Sequence, residues 1–519
     1  MIFTILRQNN GKNRYTKVYR LCGLAAGLGV WQAAAVLIAQ PLIVPKLEAI
    51  AAAAAVILTG GHFLPAVAAT LSRIAATIVI DTIAAFVLGI AAGISERIEA
   101  VLSPFETAMR AVPTMGVLLL SLIWFNSEIT PVFVASLIAL PILYRGVVNG
   151  VKNIDGRLIT MSSGFRVPLL RRLIKLYIPS IKPFTLTAYS AALGLLVKVM
   201  VTAEVLSQPQ RGIGTEFQIA RAQLDTATIF GWAIIVIILA ALMERAVNGF
   251  LSLKISSALL RKTAEKNDAL YPDENAAHRA EDAVCPADNA ALPANDAARL
   301  KTAYTDTIDV SNTGEPLDGG AAEIHIENIS FGFKTVPVFE SFSLDVTPAR
   351  INYILGRSGK GKTTLLFLIA GFLRLQKGRI RVVPENAKIG FAYQDIRLIP
   401  HLTAEENIRY ILPARYSGET ARRVALYYLC LFRLQGFEHF LPAELSGGMQ
   451  RRVGLARALA YPSEILLLDE AFDSLDPETK KAAAEVFSHI VKRQRRTVLC
   501  VTHDPAFAGI IADGIPLVV

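Results

Sequence analysis

Eight consecutive residues constrain this 519-residue chain more than any others: Gly356, Arg357, Ser358, Gly359, Lys360, Gly361, Lys362 and Thr363. They fit the pattern Gly-x-x-x-x-Gly-Lys-Ser/Thr, in which a glycine-rich backbone closes its N–H groups around a polyphosphate. A helix starting near Lys362 aims the positive end of its dipole at the same anion. Lys362 would reach the β- and γ-phosphates and the Thr363 hydroxyl would bind Mg²⁺, with Thr364 beside them in the first turn. With Gly at about 7% of residues, a chance match in a chain this long is on the order of one or two per cent. The apolar run Ile351–Leu355 before the loop reads as the strand that must lead into it.

A second motif lies about a hundred residues on. Ile465, Leu466, Leu467 and Leu468 form an apolar run that ends in Asp469 and Glu470. A buried strand ending in two acids places them at the carboxyl edge of a sheet, where ligands bind. Asp469 would hold Mg²⁺ through water, and Glu470 would orient or deprotonate an attacking water. Thr497–Val501 is a third continuous apolar run, of the kind found in parallel sheets. From residue 321 onward such runs alternate with helical stretches, which predicts a doubly wound α/β domain that binds ATP and Mg²⁺.

The first half is of another kind. The chain is 53% hydrophobic, with a mean hydropathy of +0.44, above the usual soluble share. Apolar runs at 21–39, 74–93, 112–125, 130–143, 184–206 and 229–243 predict six membrane spans. A seventh run at 49–58 is short and Ala-rich and reads as an interfacial helix. Six crossings put an ATP-using C-terminal domain and the basic N-terminus (Arg7, Lys12, Arg14, Lys17, Arg20) on one side. The basic segment from Arg145 to Lys182 falls on that side too, as the positive-inside rule asks. Inside the spans stand Asp81, Lys198 and Glu204; a solute pathway and inter-helix packing are both open for them.

Charge separates the zones. Residues 1–262 carry 24 Lys/Arg against 11 Asp/Glu, residues 263–320 carry 4 against 12, and the remainder 25 against 20. The net charge of +10 is therefore no argument for nucleic-acid binding. The expected domains are 1–262 in the membrane, an acidic linker at 263–320 with the composition of disorder, and 321–519 as the ATPase. The four cysteines, Cys22, Cys285, Cys430 and Cys500, form no Cys-x-x-Cys pair and predict neither disulfides nor zinc.

Leu445-Ser446-Gly447-Gly448-Met449-Gln450 decides the family expectation. Physically, Ser446 and two glycines open a helix and make a second anion-binding start. With this hexapeptide the chain resembles the ABC transporter ATPases, in which it is the signature motif. The resemblance covers about 190 residues and implies further roles. Gln394 matches the glutamine that senses the γ-phosphate and touches the membrane partner, and is expected at the metal as well; His503 matches the switch histidine after the last core strand. Leu475-Asp476 matches the end of the D-loop, although Asp473-Ser474 stands where the family more often has Ser-Ala. Phe333 matches the aromatic that stacks on adenine, with Phe331 a competing choice. In this family the signature of one subunit (Ser446, Gly447, Gly448) closes on the phosphate loop of another, so one copy of each implies a homodimer.

The membrane half is similar to ABC importer permeases, all-α with six spans, and within them to the nitrate/sulfonate/taurine group. The stretch from Glu96 to Pro113 and the ending Tyr177-Ile178-Pro179-Ser180-Ile181-Lys182-Pro183 carry that likeness. It implies that 157–184 is a cytoplasmic coupling loop, although the usual Glu-Ala-Ala is absent near Ile159. The resulting expectation is a permease fused to an ATPase, embedded in lipid in a bacterial inner membrane, with both termini cytoplasmic. A separate extracytoplasmic binding protein would deliver a small solute such as a sulfonate, nitrate or a thiamine-type pyrimidine. The competing classes are an ABC exporter half and a membrane-anchored ABC ATPase that transports nothing.

Overall fold

The computed structural model describes Tyr19 and residues 22–23, 25–246, 321–333, 336–355, 359–416, 418–473, 475, 477–503 and 516–518. The N-terminal basic residues, the expected linker at 263–320, and Gly356, Arg357, Ser358 and Asp476 lie outside the described residues. Contacts divide the chain into two compact units. One contains Met1–Asn153 and Ser180–Tyr271; the other contains Ile154–Pro179 and Pro272–Val519. This division differs from the expected one in giving Ile154–Pro179, most of the expected coupling loop, to the second unit.

The first unit is helical. Its elements are α1 (Ala25–Ile38), α2 (Leu47–Thr59), α3 (Phe63–Ile94), α4 (Glu96–Ala111), α5 (Thr114–Trp124) and α6 (Thr130–Lys152). Next in the chain come α7 (Gly156–Gly164) and α8 (Leu169–Arg172), which belong to the second unit, and a π turn, Leu173–Tyr177, leads into α9 (Ile178–Ser207). The first unit closes with α10 (Ile213–Ala222) and α11 (Thr226–Ala246). Four stretches are long and apolar enough to cross a membrane: Phe63–Ile94, Thr130–Lys152, Leu169–Ser207 and Thr226–Ala246. A fifth is the pair α4 and α5, bent by 101°. Pro113 causes the break: it lacks an N–H and drives Val112 out of the helical region, to φ −68° and ψ 128°. The first of the six expected spans appears as α1, which is shorter than a full crossing; its expected start is only partly described. The short Ala-rich run forms α2, 13 residues long.

Lipid-soluble helices gain little from burying apolar side chains against one another, so close backbone approach matters more. Here α3 and α6 each carry two glycines four residues apart. A Cβ at Gly89 would lie 2.8 Å from Val147, and one at Gly93 2.5 Å from Val151. The neighbouring side of α6, about 100° around the helix, repeats the device against α9, with Gly146 facing Ala188 at 2.6 Å and Gly150 facing the Ile181 Cα at 3.0 Å. Ala85, Ala92, Ala135, Ala139 and Ala192 fill the core between these helices.

The intramembrane charges divide by environment. Glu204 is fully buried, and its carboxylate accepts from Arg73 at 2.7 Å, from the Thr70 hydroxyl at 2.8 Å and from the Gly214 N–H at 3.0 Å. Arg73 also pairs with Glu128 and donates to the Arg211 carbonyl at 2.9 Å. Each buried charge thus has its partners, so Glu204 is a packing residue. Asp81 is buried at 1% exposure, whereas Lys198 lies on the exposed side of α9.

The second unit carries two sheets. β1 (Glu323–Phe333), β2 (Val336–Val346) and β4 (Lys377–Val383) make an antiparallel sheet in the order β2-β1-β4. β3 (Ile351–Leu355), β5 (Ile389–Ala392), β6 (Ile465–Asp469), β7 (Thr497–Val501) and β8 (Pro516–Val518) make a five-stranded sheet in the order β5-β6-β7-β3-β8, with every adjacent pair parallel. Every residue of β6 and β7 is buried, because helices cover both faces of such a sheet. Among them are α12 (Lys362–Ile369), α13 (Ala404–Ile411), α14 (Gly418–Leu431), α15 (Gly447–Ala460) and α16 (Pro477–Gln494). The carboxyl ends of β3, β5, β6 and β7 share one edge, and the sequence places the phosphate loop, Gln394, Asp469–Glu470 and His503 there.

The glycine packing is testable. Gly93→Val should destabilise the detergent-solubilised protein by about 1–3 kcal/mol, the usual cost of overpacking a close contact. Gly116→Ala, whose new Cβ meets nothing within 4 Å, should stay within about 0.5 kcal/mol of the parent. Thermal or denaturant unfolding measures both; equal effects would show that the α3–α6 approach is not limiting.

Candidate functional site

The phosphate loop hands over to α12 through glycine geometry. Gly361 has φ +86°, and a Cβ there would stand 2.4 Å from Val338 Cγ1, so only glycine fits without displacing β2. Lys362 and Thr363 then open α12, which orients exposed N–H groups outward. Lys362 is buried. The Thr363 hydroxyl donates to Asp469 Oδ1 at 2.9 Å, joining the loop helix to the end of β6. Burial pushes the Asp469 carboxyl up to about 6, against the opposing hydrogen bond from Thr363. A hydroxyl and a carboxylate side by side are hard oxygen donors of the kind Mg²⁺ takes beside phosphate oxygens and water. The Gln394 amide carbonyl is a third. These residues fit the cation expected there.

Glu470 follows Asp469 but turns away from the strand. Its φ of +47° lies in the left-handed region, a conformation that costs a non-glycine residue energy and persists where surroundings hold it. The Glu470 N–H donates to the Val501 carbonyl at 3.0 Å, which fixes the turn against β7. Its side chain is then held at both oxygens. Gln394 Nε2 donates to one at 2.7 Å, and His503 Nε2 stands 2.6 Å from the other. Five expected site residues therefore meet in two linked pairs of contacts: Thr363 with Asp469, and Gln394 and His503 with Glu470.

Asp473 was not among the expected site residues. Its carboxylate accepts from the Thr502 hydroxyl at 3.2 Å and from the His503 N–H at 3.4 Å, and it pairs with Lys480 at 3.3 Å. It ties the segment after β6 to the backbone of His503. The signal in the sequence was the acid standing where the family more often has serine.

The remaining expected residues sit apart from that cluster. The Ser446 hydroxyl accepts from the Met449 N–H at 3.3 Å and caps α15, with Gly447 and Gly448 in its first turn. From the next turn Arg451 donates to the Gln394 carbonyl at 3.1 Å. Phe333 is half exposed and stands edge-on to Phe331, 5.0 Å between ring centres. Phe331 is buried, so Phe333 is the ring with a face to offer.

Gln394 also opens onto the segment Ile154–Pro179. Asp395, the next residue, accepts from Arg397 at 2.8 Å and pairs with Arg157 of α7 at 3.3 Å. Phe165, just after α7, is buried edge-on to Tyr461 at 5.1 Å, with the Arg457 guanidinium 5.8 Å from its ring centre. Burial pushes that guanidinium down to about 10. Gly164 allows the approach, since a Cβ there would be 2.6 Å from the Phe372 ring. Ser162 shares a hydrogen bond with the Tyr410 hydroxyl at 2.9 Å, Arg166 donates to the Asn386 and Ala387 carbonyls at 3.3 Å, and Arg171 donates to the Tyr410 and Leu412 carbonyls. The segment is thus seated by residues that reach both flanks of the Gln394 loop.

Comparisons with known proteins follow the same two-part division. Residues 339–473 match the family described as ABC transporter, and residues 85–250 match that described as binding-protein-dependent transport system inner membrane component. A 204-residue stretch, 37% of the chain, is 37% identical to a sulfate/thiosulfate import ATP-binding protein of Mesorhizobium japonicum, over 59% of that protein. A 201-residue stretch, also 37% of the chain, is 36% identical to an Fe(3+) ions import ATP-binding protein of Brucella abortus, over 57% of it. The chain thus spans less than two thirds of the curated relatives it matches. A solved ATP-binding cassette, dimeric in a post-hydrolysis state with ADP and Pi, is 29% identical over 37% of this chain and 94% of its own, with a TM-score of 0.35. The chain belongs to the ABC transporter family and joins, in one polypeptide, a permease domain of the binding-protein-dependent kind to an ATPase domain.

Proposed function

We propose that the protein is one half of a homodimeric ATP-driven importer in a bacterial inner membrane, with the ATPase domain and both termini cytoplasmic. The observation that carries this reading is the clasp on Glu470 by Gln394 and His503, next to the Thr363–Asp469 pair, in a chain that also carries a binding-protein-dependent permease domain. The permease match favours import over export. The curated relatives are named for import of sulfate/thiosulfate and of Fe(3+), which supports an importer without choosing its solute. The solute is small, such as a sulfonate, nitrate or a thiamine-type pyrimidine, and a separate extracytoplasmic binding protein delivers it.

The site residues take the following roles. Gly356, Arg357, Ser358, Gly359, Lys360, Gly361, Lys362, Thr363 and Thr364 hold the ATP phosphates, and Phe333 stacks on adenine. Thr363, Asp469 and Gln394 would hold Mg²⁺, which would supply neutralisation of the phosphate charge. Glu470 takes the proton of the attacking water, and His503 orients Glu470. Ser446, Gly447, Gly448 and Asp476 act on the nucleotide held by the second copy. Gln394 releases Glu470 when it turns toward the γ-phosphate. That movement passes through Asp395 to Arg157 and on to the spans, giving alternating access.

Three outcomes test this reading. Glu470→Gln should leave ATP binding intact while lowering hydrolysis by about two orders of magnitude or more; ATP binding and phosphate release measure the two, and unchanged turnover removes Glu470 as the base. Protonation of Asp469 opposes cation binding. Its raised pKa of about 6 therefore predicts that half-saturating Mg²⁺ for hydrolysis falls as pH rises from about 5 to 7. Asp469→Asn should abolish that dependence along with most activity, while a parent enzyme with flat Mg²⁺ demand over this range would contradict the assignment. Phe165→Ala removes the ring seated against Tyr461 and should let ATP hydrolysis persist while solute uptake in vesicles falls severalfold, as expected where a positioning contact is lost. Parallel loss of both, or of neither, would deny the segment a coupling role.

A further inference from the structure

The exposed sides of the membrane-spanning helices are not alike. On α3 the exposed side presents Val79, Ile80, Ile83 and Val87, each more than half exposed and each bulky and apolar. On α11 it presents Ile234, Ile237, Ile238 and Leu242. Such faces suit acyl chains. The exposed stripe of α9 runs Phe184, Thr187, Ala191, Leu195, Lys198 and Thr202, at spacings of three and four that keep it on one side of the helix. Two threonines and a lysine interrupt it.

Lys198 is the decisive residue. It stands nine residues before the end of α9 at Ser207, about 13 Å along the axis, farther than a lysine stem of about 6 Å can bridge by snorkelling. Among the described residues no carboxylate pairs with it. The other charges inside the spans have different settings: Glu204 is fully buried with Arg73, and Asp81 is buried in the unit's interior. A lone ammonium at that depth against lipid would be costly, and such charges by default mark a polar path.

We propose that the exposed stripe of α9 lines the aqueous path of the solute, and that Lys198 makes that path selective for a small anion such as a sulfonate or another oxyanion. This rests on the homodimer proposed above and deepens it by naming the charge of the solute. Two copies bring two ammonium groups to one path, a field that concentrates anions and repels cations. The Thr187 and Thr202 hydroxyls give their protons to the Pro183 and Lys198 carbonyls at 3.1 and 2.8 Å, so the ammonium of Lys198, with three N–H donors, is the group that meets a sulfonate or nitrate oxygen. A cationic solute would meet like charge on both sides.

Thiol labelling of the full chain in liposomes tests the proposal without knowledge of the solute. In a background with Cys22, Cys285, Cys430 and Cys500 replaced, Thr202→Cys lies one turn from Lys198, and Ile83→Cys reports the lipid face. Two water-soluble methanethiosulfonates serve as probes, one bearing a sulfonate and one a trimethylammonium. The proposal expects Thr202→Cys to react at least about tenfold faster than Ile83→Cys, with the sulfonate reagent preferred over the ammonium reagent by about tenfold. Lys198→Gln should erase the preference and Lys198→Arg should keep it. Thr202→Cys as unreactive as Ile83→Cys would put the stripe against lipid or a dry interface and overturn the proposal. A preference that survives Lys198→Gln would overturn it as well. ATP hydrolysis read on the same liposomes separates the two readings: hydrolysis without labelling removes the path alone, and labelling without hydrolysis removes the ATP-driven engine alone.

Discussion

The site depends on one constraint: two adjacent carboxylates at the end of a buried strand face different partners. Asp469 completes β6 and stays buried, held by the Thr363 hydroxyl at 2.9 Å. Glu470 leaves the strand in a left-handed conformation and swings toward Gln394 and His503. Continued as a strand, Glu470 would point to the opposite face of the sheet from Asp469; the left-handed turn instead leaves its carboxylate between Gln394 and His503. The parallel sheet makes the arrangement available, because β3, β5, β6 and β7 all end on the same edge. The fold therefore supplies coincidence in space, and a left-handed φ at Glu470 gives the two acids separate partners.

Gln394 and its neighbour link three parts of the second unit. The Gln394 amide donates to Glu470, its carbonyl accepts from Arg451 of α15, and its neighbour Asp395 meets Arg157 of α7. A shift of this loop therefore changes three surroundings together. The segment Ile154–Pro179 is seated by buried Phe165 and by arginines on carbonyl oxygens, groups that hold a position strongly in a partly buried interface. The absence of the usual Glu-Ala-Ala near Ile159 is accompanied by these other contacts.

Much of this was legible in the sequence, for identifiable reasons. Continuous apolar runs gave β3, β6 and β7 because strands covered on both faces need no polar alternation. The expected span at 130–143 proved to be the first part of α6, because the helix continues past Pro141 through a polar stretch that includes Arg145. The span at 74–93 begins earlier, at Phe63, because Arg73 is paired with Glu204, 131 residues away. Pairings that distant leave no local trace. The antiparallel sheet of β1, β2 and β4 was likewise not read, since its half-exposed strands mix polar and apolar residues. Asp473 was visible as a departure from the family pattern, but its contact with the His503 backbone depends on how β6 and β7 pair. The glycines of α3 and α6 were legible in principle as residues four apart in apolar helices.

One chain brings Thr363, Asp469, Glu470, Gln394 and His503 together, while Ser446 caps a helix of its own. The central claim is that a second copy supplies the missing signature. Mixing two inactive variants tests it most directly: Lys362→Ala, with a dead phosphate loop, and Gly448→Asp, with a dead signature. Co-assembled in one membrane, the pair should recover ATP hydrolysis that neither shows alone, because one intact composite site forms in each mixed dimer. No recovery despite demonstrated mixed dimers, or full activity of the Gly448→Asp protein by itself, would contradict the account.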